Sequence, residues 1–319
     1  LALVQARALE RARGAAVSAR SVSDFARVTR AEGLALGAGL SLRPAPGLRL
    51  ALAGRAGEAD RQAKGRLALD VPLGTRRPGG AGLRFELSRD YAEAGDAAEG
   101  SRARNSVAAQ EFGSDWTDPY DARSALVAVD LPAAGGAGPL AGVRVTFGGS
   151  YEAQKAVAVR ARPFTGAYEP TLAADRLRSA RLTVSGERAP APGPLGTTLA
   201  LGVRLAGART TLGCGAGERG LCSGFARASL SAQLARPAGD RRLVLATTAA
   251  GAAGRVPVQE LVLLGGPVTA PGYDFHRLAG RAGVSQRVEW QAPVPFPSVS
   301  LGRYGRSPAT LTLAPYAHV

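Results

Sequence analysis

Hydrophobic and polar residues alternate along most of this chain with a period of two. In an early segment Leu34, Leu36, Ala38, Leu40 and Leu42 occupy every second position, and small or polar residues lie between them. Successive side chains of a β-strand point to opposite faces, so such alternation predicts strands with one apolar and one polar face. About twelve strands of this kind can be counted, at 33–43, 48–57, 64–73, 82–91, 123–131, 142–152, 176–188, 196–206, 223–236, 240–249, 281–292 and 298–313.

The lengths of these segments and of their connections favour a bilayer. Most segments have about 9–13 residues, whereas strands of soluble proteins peak at about 5–6 and a tilted membrane-spanning strand needs ~9–11. Short connections (44–47, 189–195, 236–240, 293–297) alternate with long ones (92–122, 160–175, 207–222, 250–280). Outer-membrane barrels combine tight periplasmic turns with long extracellular loops. We therefore predict an all-β fold, an antiparallel transmembrane β-barrel.

A soluble β-sandwich is the alternative fold, because its strands also alternate between an apolar and a polar face. The apolar positions here are mostly Leu, whereas a sandwich core draws on Val, Ile and aromatic residues. The polar positions mix Arg, Glu, Asp, Ser and Gly, which suits a polar lumen. Aromatic residues make up only 5% of the chain, few for the two girdles of a barrel, although several lie near predicted strand ends (Tyr91, Tyr151, Phe164, Trp290 and Phe296).

The order of the connections predicts what precedes and follows these strands. A short connection follows segment 33–43, so that strand runs toward the periplasm and an opposite strand must precede it, within 17–30. The segment 1–16 is expected to be a helical or linker segment, and 17–319 to be the barrel. The chain contains no Met, and a further strand should follow Val319. We therefore expect a fragment cut at both ends, with 12–13 strands present and the last strands of the barrel missing.

The charge of the chain suggests a nucleic-acid partner at first sight, but its distribution argues against one. Lys and Arg number 40 and Asp and Glu 25, which gives a net charge of +15. The basic residues are mostly Arg and are spread evenly, without the concentrated patch that nucleic-acid binding requires. We predict no nucleic-acid partner. The apolar content of 45% excludes general disorder.

Residues with catalytic or metal-binding chemistry are few. Neither His276 nor His318 has the spacing of a metal-ligand pair, and the G-x-G-x-x-G match at 215–220 follows no buried parallel strand, so it is interpreted as a loop. The carboxylates on the polar faces are expected to pair with lumen arginines rather than to work as acid–base pairs; they are Glu86, Asp90, Glu152 and Glu289. We predict no catalytic residue, no metal and no cofactor, and therefore no enzyme activity.

Two loops carry further candidates. Cys214 and Cys222 are the only cysteines, eight positions apart in one predicted long loop. Their position fits a disulfide in an oxidising compartment, and two free thiols are the alternative. The segment 111–121 contains four carboxylates with aromatic residues and could bind Ca²⁺ or a surface partner. Its spacing is not that of an EF-hand, so a solvated, self-packed loop is the favoured interpretation.

One motif carries a family resemblance. The residues Leu263-Leu264-Gly265-Gly266-Pro267-Val268-Thr269-Ala270-Pro271-Gly272-Tyr273-Asp274-Phe275, followed by Arg287-Val288-Glu289-Trp290, resemble the bacterial surface antigen barrel superfamily. That superfamily includes the barrels of the assembly factor BamA and of two-partner secretion transporters. The resemblance implies that this loop folds into the lumen ahead of the twelfth of sixteen strands. The strand count agrees once the inferred first strand is added.

The resemblance also assigns the lumen-loop motif to Gly265, Gly266, Pro271, Gly272 and Tyr273. Members of the superfamily carry an Arg directly before the Gly-Tyr pair, where it contacts an acidic residue of the inner wall. Pro271 occupies that position here, so the role of the Arg does not carry over. Arg277 is the candidate substitute.

By this resemblance the chain is expected to be located in the bacterial outer membrane and to insert polypeptides into it or move them across it. The implied partners are outer-membrane lipid, a polypeptide substrate and periplasmic domains. A barrel that anchors a larger enzyme and a passive diffusion channel are the alternatives, and a soluble carbohydrate-binding β-protein is a further one.

Overall fold

The computed structural model describes residues 15–17, 25–45, 47–74, 80–132, 142–192, 196–215, 220–300, 306–307 and 309–319. These residues form an antiparallel sheet of fifteen strands, a second sheet of two strands and helix α1 (Arg102–Phe112). The strands are β1 (Ala15–Val17), β2 (Ala26–Thr29), β3 (Gly33–Ala45), β4 (Leu48–Gly57), β5 (Ala63–Pro72), β6 (Gly82–Glu93), β7 (Pro119–Asp130), β8 (Arg144–Ala156), β9 (Leu177–Pro192), β10 (Thr198–Thr210), β11 (Ser223–Ala238), β12 (Arg241–Gly254), β13 (Val262–Leu264), β14 (Leu278–Gly280), β15 (Ala282–Pro295), β16 (Thr310–Leu313) and β17 (Tyr316–His318).

Each long strand pairs with the next one in the chain, as in an up-and-down barrel. β1 and β2 both pair with β3, at its two halves, so the strand predicted ahead of 33–43 is present as β2 with β1 before it. β13 and β14 form their own hairpin between β12 and β15. Within the described residues, no pairing joins β1 or β2 to β16 or β17, and the sheet is not closed.

The period-two pattern located the long strands well, except at its last segment. The predicted strand 48–57 matches β4, and ten others overlap observed strands. Of the predicted strand 298–313, residues 310–313 form β16, while 301–305 and 308 lie outside the described residues. β17 follows this segment, and both short strands pair with separate parts of β15. Proline has no backbone N–H to donate, and Pro315 lies between β16 and β17. The expected helical or linker segment 1–16 lies almost wholly outside the described residues.

The sheet has one apolar and one polar face. Directly paired leucines of β4, β5 and β6 remain exposed on the outer face: Leu52 (41%), Leu67 (38%) and Leu87 (57%). A contiguous exposed apolar surface on a barrel is the surface that contacts lipid. Within the described part of the chain, no helix is long and apolar enough to cross a membrane.

The polar face carries the ion pairs that the sequence predicted for a lumen. Arg66 pairs with Glu86, Arg55 with Asp90, and Arg287 with Glu289. Glu152 differs, because its carboxylate accepts hydrogen bonds from Ser150 Oγ (3.1 Å) and Gln154 Nε2 (2.7 Å). Three of the four predicted lumen carboxylates are therefore paired with an arginine.

Candidate functional site

The chain between β12 and β15, residues 255–281, turns into the barrel and is called the inward loop. Gly254, with φ +92°, starts the turn, and a Cβ at this position would lie 2.5 Å from the carbonyl oxygen of Gly224. Only glycine therefore fits where the loop leaves the wall. The hairpin of β13 and β14 forms the middle of the loop, and Leu263 packs in a small core with Ala94, Tyr120 and Ala174.

A carboxylate of the inward loop, Glu260, contacts arginines of the barrel wall. Its Oε1 pairs with Arg181 on β9, and its Oε2 lies 3.9 Å from Nε of Arg227 on β11. Arg227 Nε also donates to the Glu260 carbonyl oxygen (2.9 Å), while its other nitrogens donate to both carboxylate oxygens of Asp96 at 2.6 Å. The Arg181 and Glu260 side chains are only 9% and 7% exposed, so this contact is largely shielded from water.

The neighbouring Gln259 joins the inward loop to a second part of the wall. Its Nε2 donates to Gln154 Oε1 on β8 (2.8 Å), and its Oε1 accepts from the backbone N–H of Asp175 (2.9 Å). The Asp175 carboxylate accepts from the N–H of Val258 at 2.8 Å. Polar groups that are buried and fully hydrogen-bonded fix a single arrangement, so these contacts hold the start of the loop against β8 and β9.

The two glycines of the predicted lumen-loop motif form a tight turn around Glu99, a residue of the β6–β7 connection. The Glu99 carboxylate accepts from the N–H groups of Val268 (2.6 Å) and Thr269 (3.2 Å) and from the Thr269 hydroxyl. Gly266 has φ +104°, and a Cβ there would lie 2.9 Å from Glu99 Oε2. Gly265 has φ +132°, and its Cβ would lie 2.2 Å from the Asp274 carbonyl oxygen. Both positions therefore require glycine.

The other motif residues lie at the exposed tip of the loop rather than on the wall. Tyr273 is 57% exposed, and its carbonyl oxygen accepts from the N–H of Gly266 at 3.1 Å. Gly272 is exposed with φ +97°, and Pro271 is half-buried. Arg277 is exposed, and among the residues with described positions no ion pair connects it to the wall. The loop–wall ion pair observed here has its arginines on the wall and its carboxylate, Glu260, in the loop.

The segment 111–121 packs against residues of other connections. Asp118 accepts hydrogen bonds from Arg30, from His276 Nδ1 (2.7 Å) and from the N–H of Leu172 (3.2 Å). Asp115 accepts from the N–H of Arg30 and from Asn105 Nδ2. These contacts agree with the prediction that the loop packs on itself. The prediction that it is solvated is wrong at Asp115 and Asp118, which are buried. Protein donors already occupy the carboxylate oxygens of Asp115 and Asp118, the two members of this segment at its centre.

A second charged cluster closes the turn between β2 and β3. The fully buried Glu32 carboxylate contacts Arg27, Arg55 (3.0 Å) and Lys64 (2.9 Å). Burial raises the pKa of the Glu32 carboxyl, but the three cations outweigh burial and hold this pKa below its ordinary value of 4.5. Lys64 also pairs with Asp60, which accepts from the Tyr91 hydroxyl at 2.7 Å. This cluster ties the first three long strands together near the β2–β3 and β4–β5 turns.

The structure joins Cys214 and Cys222 in the connection between β10 and β11, with their Cα atoms 5.7 Å apart. We expect intact-mass analysis of alkylated protein to show no adduct without reductant and two adducts after reduction. A loop of this length would contribute about 2 kcal/mol, so the Cys214→Ser/Cys222→Ser variant should still fold. Adducts on the unreduced protein would contradict the disulfide and favour two free thiols.

Sequence comparison identifies no relative of this chain: no family model and no curated protein matches it. Comparison of structures identifies a similar fold. The chain is similar to the crystal structure of BamA from Haemophilus ducreyi lacking POTRA domains 1-3, with a TM-score of 0.54 and 14% sequence identity over 93% of this chain and 62% of that one. The fold is that of a BamA-type outer-membrane barrel.

The predicted fold class and the resemblance to the surface-antigen barrels are therefore confirmed at the level of the fold. The chain spans less than two thirds of the BamA chain that it matches. Sequence reasoning located the inward loop through its Leu-Gly-Gly motif but missed Glu260 and Glu99, the two carboxylates through which the loop is held. Arg181 occupies a polar position of its strand, alternating with the apolar Leu182 and Val184, and this alternation is the signal in the sequence for one side of the contact.

Proposed function

We propose that this chain forms the barrel of a bacterial outer-membrane protein that inserts polypeptides into that membrane or moves them across it. The observation that supports the proposal is a BamA-type fold whose lumen is occupied by an inward loop fixed through Glu260. A loop held by ion pairs can block passive flow and still be displaced as one unit. Such a barrel needs no catalytic residue, since membrane insertion of a strand requires only a pairing edge and an apolar exit.

Passive diffusion is the second candidate function. A polar cavity of about 430 Å³ lies under the inward loop, between Glu152, Arg204 and Tyr120 of the wall. Space of this kind could conduct small solutes, and a channel would show steady conductance without a polypeptide partner. A barrel that anchors a larger enzyme would differ from both in having a further domain.

The barrel itself is tested by heat-modifiability. We expect the chain, within its full-length parent and refolded in detergent micelles, to migrate differently on a gel before and after boiling, with β-rich circular dichroism. A closed barrel resists unfolding by detergent alone, because its backbone groups are paired within the sheet. Soluble β-structure without detergent and no band shift would contradict the membrane barrel.

The activity is tested separately on barrels that pass the first test. Planar bilayers should show low conductance for the assembly or translocation function and steady open conductance for a diffusion channel. Liposomes that contain the full-length parent should fold an added urea-unfolded outer-membrane barrel faster than protein-free liposomes do. Equal folding rates together with steady conductance would favour the channel.

A further inference from the structure

We propose that the outer face of β5 to β8 binds a phosphate-bearing lipid of the extracellular leaflet, with Arg89 and Arg123 as the residues that hold the phosphate. The inference rests on the proposed outer-membrane location and assigns a lipid class and a position to it. It follows from a surface cavity, the strand register and the charges beside that cavity.

Arg89 on β6 and Arg123 on β7 are directly paired across the sheet. Both belong to the outer face, because Arg89 alternates in phase with the exposed Phe85 and Leu87. The same row continues through Ala153 on β8 to Arg178 on β9, which is also exposed. Like charges that face each other directly destabilise a sheet. A pair of outward arginines in register is therefore stabilised by an anion that binds between them.

The protein supplies little of that compensation. Arg89 Nη2 donates to the neutral Gln62 Oε1 at 3.0 Å. Two positions from Arg123, the buried Asp121 is paired with Lys155 at 3.2 Å. In the part of the chain whose structure is described, no ion pair connects Arg89 or Arg123 to a carboxylate. An arginine binds phosphate through two parallel hydrogen bonds, so a facing pair suits one phosphate group well.

A depression of about 620 Å³ opens directly below the two arginines. Its outward lining is Leu52, Leu67, Leu87, Ala125 and Tyr151, which form one continuous cross-strand row. Ala125 is small and lies between Leu87 and Tyr151, both about half exposed, so the row has a groove at this point. Apolar lining with cations at one end matches an acyl chain below a phosphate head group.

The position relative to the bilayer identifies the occupant as a lipid. Arg89 lies six residues from Leu83 on the same face, or ~20 Å along the strand. The apolar band of an outer-membrane barrel is about 25 Å tall. Strands of such a barrel are tilted by about 35–45°, so these six residues rise ~15 Å of the band. The outward positions before Arg89 are apolar (Leu83, Phe85 and Leu87), and β6 ends at Glu93, where a long connection begins. The arginine row therefore lies where the apolar residues of this face end, on the side of the long connections, at the level where lipid phosphates would meet the barrel.

The test compares two lipids that differ only in phosphate. The full-length parent would be refolded in neutral detergent micelles doped with dioleoyl phosphatidic acid or with dioleoylglycerol, and its half-unfolding temperature read from the heat-modifiable gel band. We expect phosphatidic acid to raise this temperature by several degrees above dioleoylglycerol, because a ligand that binds only the folded state stabilises it. Arg89→Gln/Arg123→Gln should abolish the difference between the two lipids, and the apparent affinity for phosphatidic acid should fall at least about tenfold.

The matched control is Arg236→Gln/Arg241→Gln, which removes the same charge from the exposed β11–β12 turn at the other end of the sheet. It should keep the full phosphate-dependent gain. In neutral micelles without added lipid, Arg89→Gln/Arg123→Gln should melt slightly higher than the parent, because a like-charge pair has been removed. If the two arginines only stabilised the fold, the variant should instead melt at a lower temperature than the parent.

Two outcomes would overturn the lipid site. One is an undiminished phosphate-dependent gain in Arg89→Gln/Arg123→Gln; the other is an equal gain from inorganic phosphate at matched concentration, which would indicate a general anion site. Failure of the parent itself to give a heat-modifiable band would contradict the proposed membrane barrel instead. The two failures are therefore distinguishable.

Discussion

Glu32→Gln should lower the free energy of unfolding of the barrel by about 3–5 kcal/mol, because it breaks the buried ion cluster at its shared carboxylate. Arg27 then keeps no carboxylate partner among the described residues, whereas Arg55 keeps Asp90 and Lys64 keeps Asp60. Arg27, Arg55 and Lys64 all contact this one carboxylate, whose side chain is fully buried. The measurement is the urea concentration at which the heat-modifiable folded band disappears. Glu58→Gln is the control, because Glu58 is exposed on the neighbouring turn and a surface substitution should change stability by less than about 0.5 kcal/mol.

The effect of Glu32 should also depend on pH in one direction. The three cations hold the folded-state pKa of Glu32 below 4.5, despite the opposing effect of burial. A lowered pKa contributes stability that is complete above the unfolded value and is lost as the pH falls through the folded value. The difference between the parent and Glu32→Gln should therefore be constant near neutral pH and shrink as the pH falls below about 4.5. A difference that grows on acidification would contradict this assignment.

The fold could be predicted largely from the sequence. The lipid-facing side chains of a barrel strand are apolar and the lumen-facing ones are polar, so the alternation is visible along the chain. Leu67, Leu69 and Val71 lie on one face of β5, and Asp70 lies on the other, where it pairs with Arg84. Helix α1 gave no comparable signal. It lies at the barrel end with only Asn105 and Ala109 buried, so no apolar stripe marks it.

The contacts of the inward loop could be predicted only on the wall side. A residue such as Arg181 has a strand register, and register determines that it faces the lumen. Glu260 and Glu99 lie in connections, which have no period, and their partners are distant in sequence: Thr269 lies 170 positions from Glu99. The glycines at 265 and 266 were recognisable from the Leu-Gly-Gly motif, and their positive φ angles explain why glycine is needed there, but the carboxylate that they surround was not recognisable.

Glu260→Gln is expected to release the inward loop from the wall and to raise the ion conductance of the barrel in planar bilayers. The substitution removes the charge that faces Arg181, whose Nε has no hydrogen-bond partner among the described residues, whereas Arg227 keeps Asp96. Breaking a largely buried charge pair costs about 3–5 kcal/mol, and each 1.4 kcal/mol shifts a two-state equilibrium tenfold. A seated loop should therefore give way to a mixture of seated and displaced loops.

Limited trypsin digestion provides the independent measurement, because Arg277 and Arg281 are exposed within the inward loop and a displaced loop should be cut there faster. Glu187→Gln is the matched control, since Glu187 is an exposed carboxylate on the lumen face of β9, six positions from Arg181. Arg181→Gln/Glu260→Gln should show no higher conductance than Glu260→Gln alone, because the effects of substitutions at contacting residues are not additive. Additive effects, or unchanged conductance in Glu260→Gln, would mean that Gln259 and Glu99 hold the loop without the ion pair.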